Sequence, residues 1–183
     1  MIRLEHFERS DFNQLIEWIP DESMLITWSG SLFKFPLTTE SLEWYIKNTN
    51  DLQHSDAFIY KAVDDETGEV VGHISLGNIS RKNRSGRITR VLVSHSVRGK
   101  GICQSMVKAV LKIGFEDLQL HRISLGVYRT NPSAITCYEK CGFHTEGISR
   151  DTLLYQGRFY SIVEMSMLED EYRHFTAGNY DIN

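Results

Sequence analysis

The apolar residues change period twice between Gly86 and Tyr128, and that double change sharply limits the folds open to this chain. Gly86 to Val93 reads as a strand. From Gly99 to Phe115, Ile102, Met106, Val110 and Ile113 recur every three or four positions, while Gln104, Lys108 and Lys112 line the opposite side. That spacing predicts an amphipathic helix with one buried stripe. His121 to Tyr128 returns to a period of two, with Ile123, Leu125 and Val127 on one face. Strand, helix and strand in succession make the two strands parallel, joined by a right-handed crossover.

The flanking segments add antiparallel neighbours. Ile2 and Leu4 alternate with polar residues, and Ser10-Asp11 precede a helical group of Phe12, Leu15, Ile16 and Ile19. Residues 22–37 show no period and read as irregular. Thr38-Thr39-Glu40 open a helix bearing Leu42, Tyr45 and Ile46, and Ala57–Val63 is the next strand. The Asp64-Asp65-Glu66-Thr67-Gly68 cluster turns the chain into Val70–Leu76, giving a meander with Gly86–Val93. After the crossover, Asn131 can cap a helix with Pro132 in its first turn and Gly142 at its end. Phe143–Ser149 and Phe159–Leu168 read as a closing hairpin. No repeat or linker divides the chain, so the expected fold is one α+β domain, residues 1–183, with a mixed, mostly antiparallel sheet and flanking helices.

Composition excludes several classes. At 41% hydrophobic and 24% charged residues over 183 positions, the chain can bury roughly 70% of its unfolded surface, which neither a disordered nor a disulfide-stapled chain does. No apolar run approaches the roughly 18 residues that cross a bilayer. The opening Met1-Ile2-Arg3-Leu4-Glu5 lacks a secretion-signal pattern, so the expected address is cytoplasmic, with no membrane partner. Cys103, Cys137 and Cys141 form no Cys-x-x-Cys pair and are odd in number, which suggests reduced thiols and no metal site.

Charge is segregated along the chain. The net charge is -4, yet Val70 to Phe115 contains nine basic residues and no Asp or Glu, while residues 1–69 carry 5 basic against 14 acidic. A basic middle suits an anionic ligand and an acidic flank a cationic one; a solvated face with no ligand accounts for the charge equally well. The overall acidity argues against general nucleic-acid binding.

The basic stretch converges on the turn Val97-Arg98-Gly99-Lys100-Gly101-Ile102-Cys103-Gln104, where the predicted helix begins. A helix start offers unpaired N–H donors and a partial positive charge, and glycines let a phosphate approach the backbone. The dinucleotide fingerprint fails because Gln104 stands at its third glycine, and no Walker spacing follows. Farther on, Asn131-Pro132-Ser133-Ala134-Ile135-Thr136-Cys137-Tyr138-Glu139-Lys140-Cys141-Gly142-Phe143 succeeds the second parallel strand. Together these segments resemble the GNAT N-acetyltransferase superfamily. Its pattern is Gln/Arg-x-x-Gly-x-Gly/Ala at a strand-to-helix turn, then Asn, Ala, Tyr and Gly-Phe. Arg98, Gly101 and Cys103 occupy the first pattern, with Cys103 departing from its Gly/Ala. The chain is also similar to the branch holding ribosomal-protein N-terminal and spermidine acetyltransferases.

The resemblance implies a sheet whose central parallel strands splay around acetyl-CoA, the co-substrate. It implies that Val91, Leu92 and Val93 pair with the pantetheine arm, and that Arg98, Gly99, Lys100, Gly101, Ile102, Cys103 and Gln104 hold the pyrophosphate. Asn131 then meets the pantetheine and Tyr138 the thioester sulfur, as cofactor contact and general acid. A helix cap by itself also explains Asn131, and core packing would explain Tyr138. The implied activity is acetyl transfer to a primary amine, either a protein N-terminus or a small polyamine, by direct attack in a ternary complex. A non-catalytic CoA-binding module or a ribosome-interaction module is the alternative, and a homodimer is left open.

The base is less determined. Gly86–Val93 has none of the carboxylates many family members carry there, leaving a water relay from another Asp or Glu, or His73 or His95, whose imidazoles ordinarily titrate near about 6.5. Trp18, Trp28, Phe33, Phe35, Trp44 and Tyr45 are candidates for an acceptor cleft, with core packing as the alternative.

Overall fold

A computed structural model describes residues 1–178. The strands are β1 (Ile2–His6), β2 (Phe58–Asp64), β3 (Val70–Ser80), β4 (Ser85–Val93), β5 (Arg122–Tyr128), β6 (His144–Tyr155) and β7 (Arg158–Leu168). They form one sheet in the order β1-β2-β3-β4-β5-β7-β6. Every neighbouring pair is antiparallel except β4 and β5. The helices are α1 (Phe12–Glu17), α2 (Glu22–Ser29), α3 (Thr39–Ile46), α4 (Ile102–Lys112), α5 (Pro132–Lys140) and α6 (Glu169–Gly178). No helix of the described residues is long and apolar enough to cross a membrane.

Three local differences from the sequence reading have physical causes. Residues 22–29 are helical, not irregular. The Met24-Leu25-Ile26 run hides any stripe, but Asp21 accepts from the Met24 N–H at 2.8 Å, and Gly30 ends the helix at φ 59°. Helix α4 starts at Ile102 and not at Gly99, because Gly99 and Gly101 take left-handed φ values of 79° and 78°. Helix α6 follows β7 directly, and the Leu168 N–H bonds the Glu171 carboxylate at 2.8 Å. That acid-rich first turn complements the helix dipole.

Alternation along the strands separates two cores. Tyr60, Ala62, Ile74, Leu76 and Ile88 pack with Met106, Val107, Val110 and Leu111 of α4. Ile59 and Leu92 belong instead to a cluster with Phe12, Leu15, Leu25, Trp28 and Tyr45 from the N-terminal helices. Burying each large apolar side chain contributes about 1.5–3 kcal/mol, so both faces help to fix the sheet.

Two irregularities open the middle of that sheet. The parallel ladder runs only from Ser85↔Arg122 to Ile88↔Leu125, after which β4 and β5 separate. On the other side of β4, Leu92 faces His73 and Thr89 faces Ser75, so Arg90 and Val91 together oppose Ile74. This is a β-bulge, and Arg90 occupies it at φ 53°. The Trp28 indole N–H donates to the Arg90 carbonyl at 3.0 Å and helps to hold it there.

Candidate active site

Separation of β4 from β5 leaves a cleft of about 580 Å³. It is walled by Ile88–Val93 of β4 and Leu125–Tyr128 of β5, and capped by the start of α4 on one side and by α2 and α5 on the other. Beyond Ile88 and Leu125 the facing edges of the two strands have no ladder between them, so their backbone donors and acceptors are available to a bound chain. Val91, Leu92, Val93, Arg98, Gly99, Gly101, Ile102, Cys103, Gln104, Asn131 and Tyr138 all line this space. Lys100 belongs to the same turn but is exposed and is not part of the cleft wall.

The turn has the form of a cradle. A Cβ built at Gly99 or Gly101 would meet no atom within 4 Å, so the space beside both glycines is open. Arg98 is exposed, and its Nε donates to the Val93 carbonyl at 3.3 Å, which draws its side chain back over the end of β4. Next to it, Cys103 and Cys137 line the cleft with Cys141 buried behind them. Hydrogen bonding to Cys137, aided by burial, raises the Cys103 and Cys141 thiols, which keeps both protonated.

Asn131 serves the backbone as its position suggested. Its side chain accepts from the Ala134 N–H at 3.2 Å and from the Ser133 hydroxyl at 3.0 Å, capping α5. About two turns beyond that cap, Cys137 and Tyr138 are carried into the cleft wall. Tyr138 is buried, with its ring edge toward Phe143, and burial raises its phenol well above the ordinary tyrosine value. At neutral pH it keeps its proton.

Behind the bulge lies a buried polar chain. The Tyr45 hydroxyl accepts from Arg90 Nε at 2.9 Å and meets His73 Nε2 at 3.2 Å, and the guanidinium also lies over the Tyr45 ring at 5.0 Å. His73 is packed between Phe7, Trp28 and Tyr45, with its Nδ1 unpartnered. Burial and then the Arg90 charge push its pKa down to about 3, so it stays neutral and is a poor base. His73 and His95 are both absent from the cleft wall. Of the aromatic residues proposed for an acceptor cleft, Trp28 lines it. Phe33 and Tyr45 are core, and Phe35 and Trp44 are exposed away from it.

A smaller cavity of about 290 Å³ adjoins the cleft, sharing Thr27, Tyr128 and Asn131 with it. Tyr128, Tyr155 and Tyr160 dominate its lining, and the Tyr128 hydroxyl donates to the Ile26 carbonyl at 3.2 Å. Desolvation, and then the charges of Glu22 and Asp21, raise the Tyr155 phenol. No Asp or Glu among the described residues lines either space.

Residues 2–144 match the Acetyltransferase (GNAT) domain family. The chain belongs to the GNAT acetyltransferase family. The spermidine N(1)-acetyltransferase of Escherichia coli K12 is 25% identical over 97% of this chain and 92% of its own. A streptothricin acetyltransferase of Escherichia coli is 35% identical over 68% of each chain. The fold superposes on a crystal structure of Vibrio cholerae spermidine N-acetyltransferase, solved with CoA and spermine, at a TM-score of 0.81, 23% identity and 94% and 98% coverage of the two chains.

As a GNAT domain the chain is an acetyl-CoA-dependent N-acetyltransferase, and its open glycine turn and unladdered strand edges fit that co-substrate. Sequence reasoning missed Met24 and Thr27, because α2 was not recognised, and it missed the role of Arg90 in the bulge. Asp21 and Gly30, a cap and a stop nine residues apart, were the available signal for α2.

Proposed function

We propose that this GNAT domain acetylates a cationic primary amine, with the reacting nitrogen entering from the α2 side and the acetyl donor lying between β4 and β5. The single observation that carries this reading is the adjacency of two cavities: the cleft that holds the glycine turn and Tyr138 shares Thr27, Tyr128 and Asn131 with the tyrosine-lined cavity. The two spaces suit opposite charges. Helix α4 presents free N–H groups and Arg98 to phosphates, whereas the neighbouring cavity offers three tyrosine rings, one of which, Tyr155, feels the charges of Glu22 and Asp21. The spermidine acetyltransferases among the relatives support a polyamine, and a basic protein N-terminus has the same chemistry at the reacting end.

In this reading the thioester supplies an activated acetyl carbon and a thiolate leaving group. Backbone N–H groups on the free edge beyond the Arg90 bulge face the carbonyl oxygen and stabilise charge developing there. Tyr138 gives its proton to the departing sulfur, and the nitrogen's surplus proton, passed through water, restores the phenol. One N–C bond forms and one C–S bond breaks. Tyr138 in the wall favours transfer over a CoA-binding module without turnover, because such a module needs no proton donor at that point.

The test is a product assay by mass spectrometry, with acetyl-CoA and matched amines: spermidine, a basic peptide and an uncharged-side-chain amine. The expected outcome is acetylation with kcat/KM highest for a cationic acceptor and falling with salt. Equal values across the set would refute the cationic acceptor, and no acetylated product would refute the reading altogether.

A further inference from the structure

Arg90 lines the central cleft, is half-buried, and has no carboxylate within ion-pair distance among the described residues. Other arginines from the basic stretch are neutralised: Arg84 pairs with Glu169 at 3.0 Å and Arg87 with Glu164 at 2.9 Å. The groups facing Arg90 from neighbouring elements are Trp28 on α2, Tyr45 on α3 and His73 on β3, and none is anionic. Burial raises the Tyr45 phenol, and His73 is neutral. One nitrogen of the guanidinium is taken up by Tyr45, and the whole group is held on the α2–α3 side of the sheet. An uncompensated cation thus stands on the side from which the acceptor would enter, beside a passage whose walls carry no Asp or Glu.

Resting on the function proposed above, we propose that Arg90 is a specificity-determining residue that keeps the reacting nitrogen neutral by like-charge repulsion. An ammonium placed beside a fixed cation loses its proton more easily than it does in water. The proton leaves to solvent through the open cleft before attack, and the lone pair remains on nitrogen, ready for the acetyl carbon. No carboxylate base on the wall is then required for that first proton. The same repulsion excludes a second ammonium from the attack position, so a polyamine can be seated only with its remaining charges outward, toward the tyrosine cavity and Asp21 and Glu22. Arg90 therefore sets both the protonation state and the register of the acceptor.

Titration calorimetry of spermidine into the CoA-loaded protein at pH 7.5, in two buffers of different ionisation enthalpy, counts protons released on binding. The wild type should release about one proton at the reacting amine, and Arg90→Gln should release markedly fewer. In parallel, the kcat–pH profile of Arg90→Gln should have its inflection about one pH unit higher, the scale of shift a nearby like charge produces. Its KM for spermidine should fall while kcat falls at pH 7, and the difference in kcat should close as the pH approaches the amine's own pKa. Arg90→Lys retains charge without the planar fork, and should restore both proton release and the inflection. Unchanged proton release and an unmoved inflection in Arg90→Gln, or failure of Arg90→Lys to restore them, would overturn the role of Arg90 while leaving the proposed function standing. Absence of spermidine binding and of any acetylated amine in the wild type would overturn the proposed function itself.

Discussion

Asn131 is the residue whose structural duty and proposed ligand contact can be separated most cleanly. Its side-chain oxygen accepts from the Ala134 N–H and the Ser133 hydroxyl, and the residue also borders both cavities. Asn131→Ala removes the cap of α5 and should cost about 1 kcal/mol, which in a domain of this size lowers Tm by about 2–4 °C. Asn131→Ser keeps an acceptor at the cap position, where Ser ranks with Asn, so its Tm should stay within about 1 °C of the wild type. Neither variant retains the carboxamide. If that group bonds the pantetheine arm, losing one neutral hydrogen bond costs about 0.5–1.5 kcal/mol, so both should bind acetyl-CoA roughly 2- to 12-fold more weakly by calorimetry. Scanning calorimetry on the same samples gives the stability readout. A serine variant that regains wild-type affinity along with wild-type Tm would show that Asn131 is a cap and nothing more.

Tyr138→Phe keeps the buried ring beside Phe143 and removes only the proton donor, so Tm should hold while turnover falls by roughly 10²-fold; undiminished product formation in the folded variant would make the tyrosine structural. Gly101→Ala forces a side chain onto a φ of 78°, at about 1–2 kcal/mol of strain, and projects it into the open cradle. Its acetyl-CoA affinity should drop far more than that of Lys108→Ala, whose ammonium lies 5.9 Å from the Phe175 ring centre, and equal affinities would place the phosphates elsewhere.

What the sequence disclosed and what it concealed divide along the range of the forces involved. The β4–turn–α4–β5–α5 succession was legible because each boundary carries a local cause: glycines at left-handed φ before α4, Asn131 and Pro132 before α5. Hence the turn residues and Tyr138 could be found, and all of them but Lys100 share one cleft wall. The bulge was not legible. Arg90 adopts its positive φ because Trp28 and Tyr45, far away in sequence, hold its carbonyl and its guanidinium. Nothing near position 90 announces either contact. The run of apolar residues in α2 likewise conceals its period, since Leu25 is core, Thr27 lines the cleft, and Met24 and Trp28 serve both.

The charge map shows why a count along the chain cannot by itself assign substrates. Nine basic residues between Val70 and Phe115 suited an anionic ligand or a solvated basic face equally, and folding disperses them. Arg84 and Arg87 are consumed by Glu169 and Glu164, and Arg81 holds the carbonyls of Leu52 and Ser55. The acids of the N-terminal segment are engaged in the same way: Asp11 pairs with Lys61 at 3.0 Å, Asp65 with Arg3 at 2.7 Å, and Asp21 caps α2. Only the charges left over after these local uses can act on a ligand. On the cleft wall those are Arg98 at the turn and Arg90 at the bulge, and the charge of Glu22 acts on Tyr155 in the lining of the tyrosine cavity. Neither charge block predicts that pair of cleft-wall cations. In the function proposed above, Arg98 at the turn favours the phosphate-bearing donor, and Arg90, standing between donor and acceptor, would admit nitrogen only in the form that can attack.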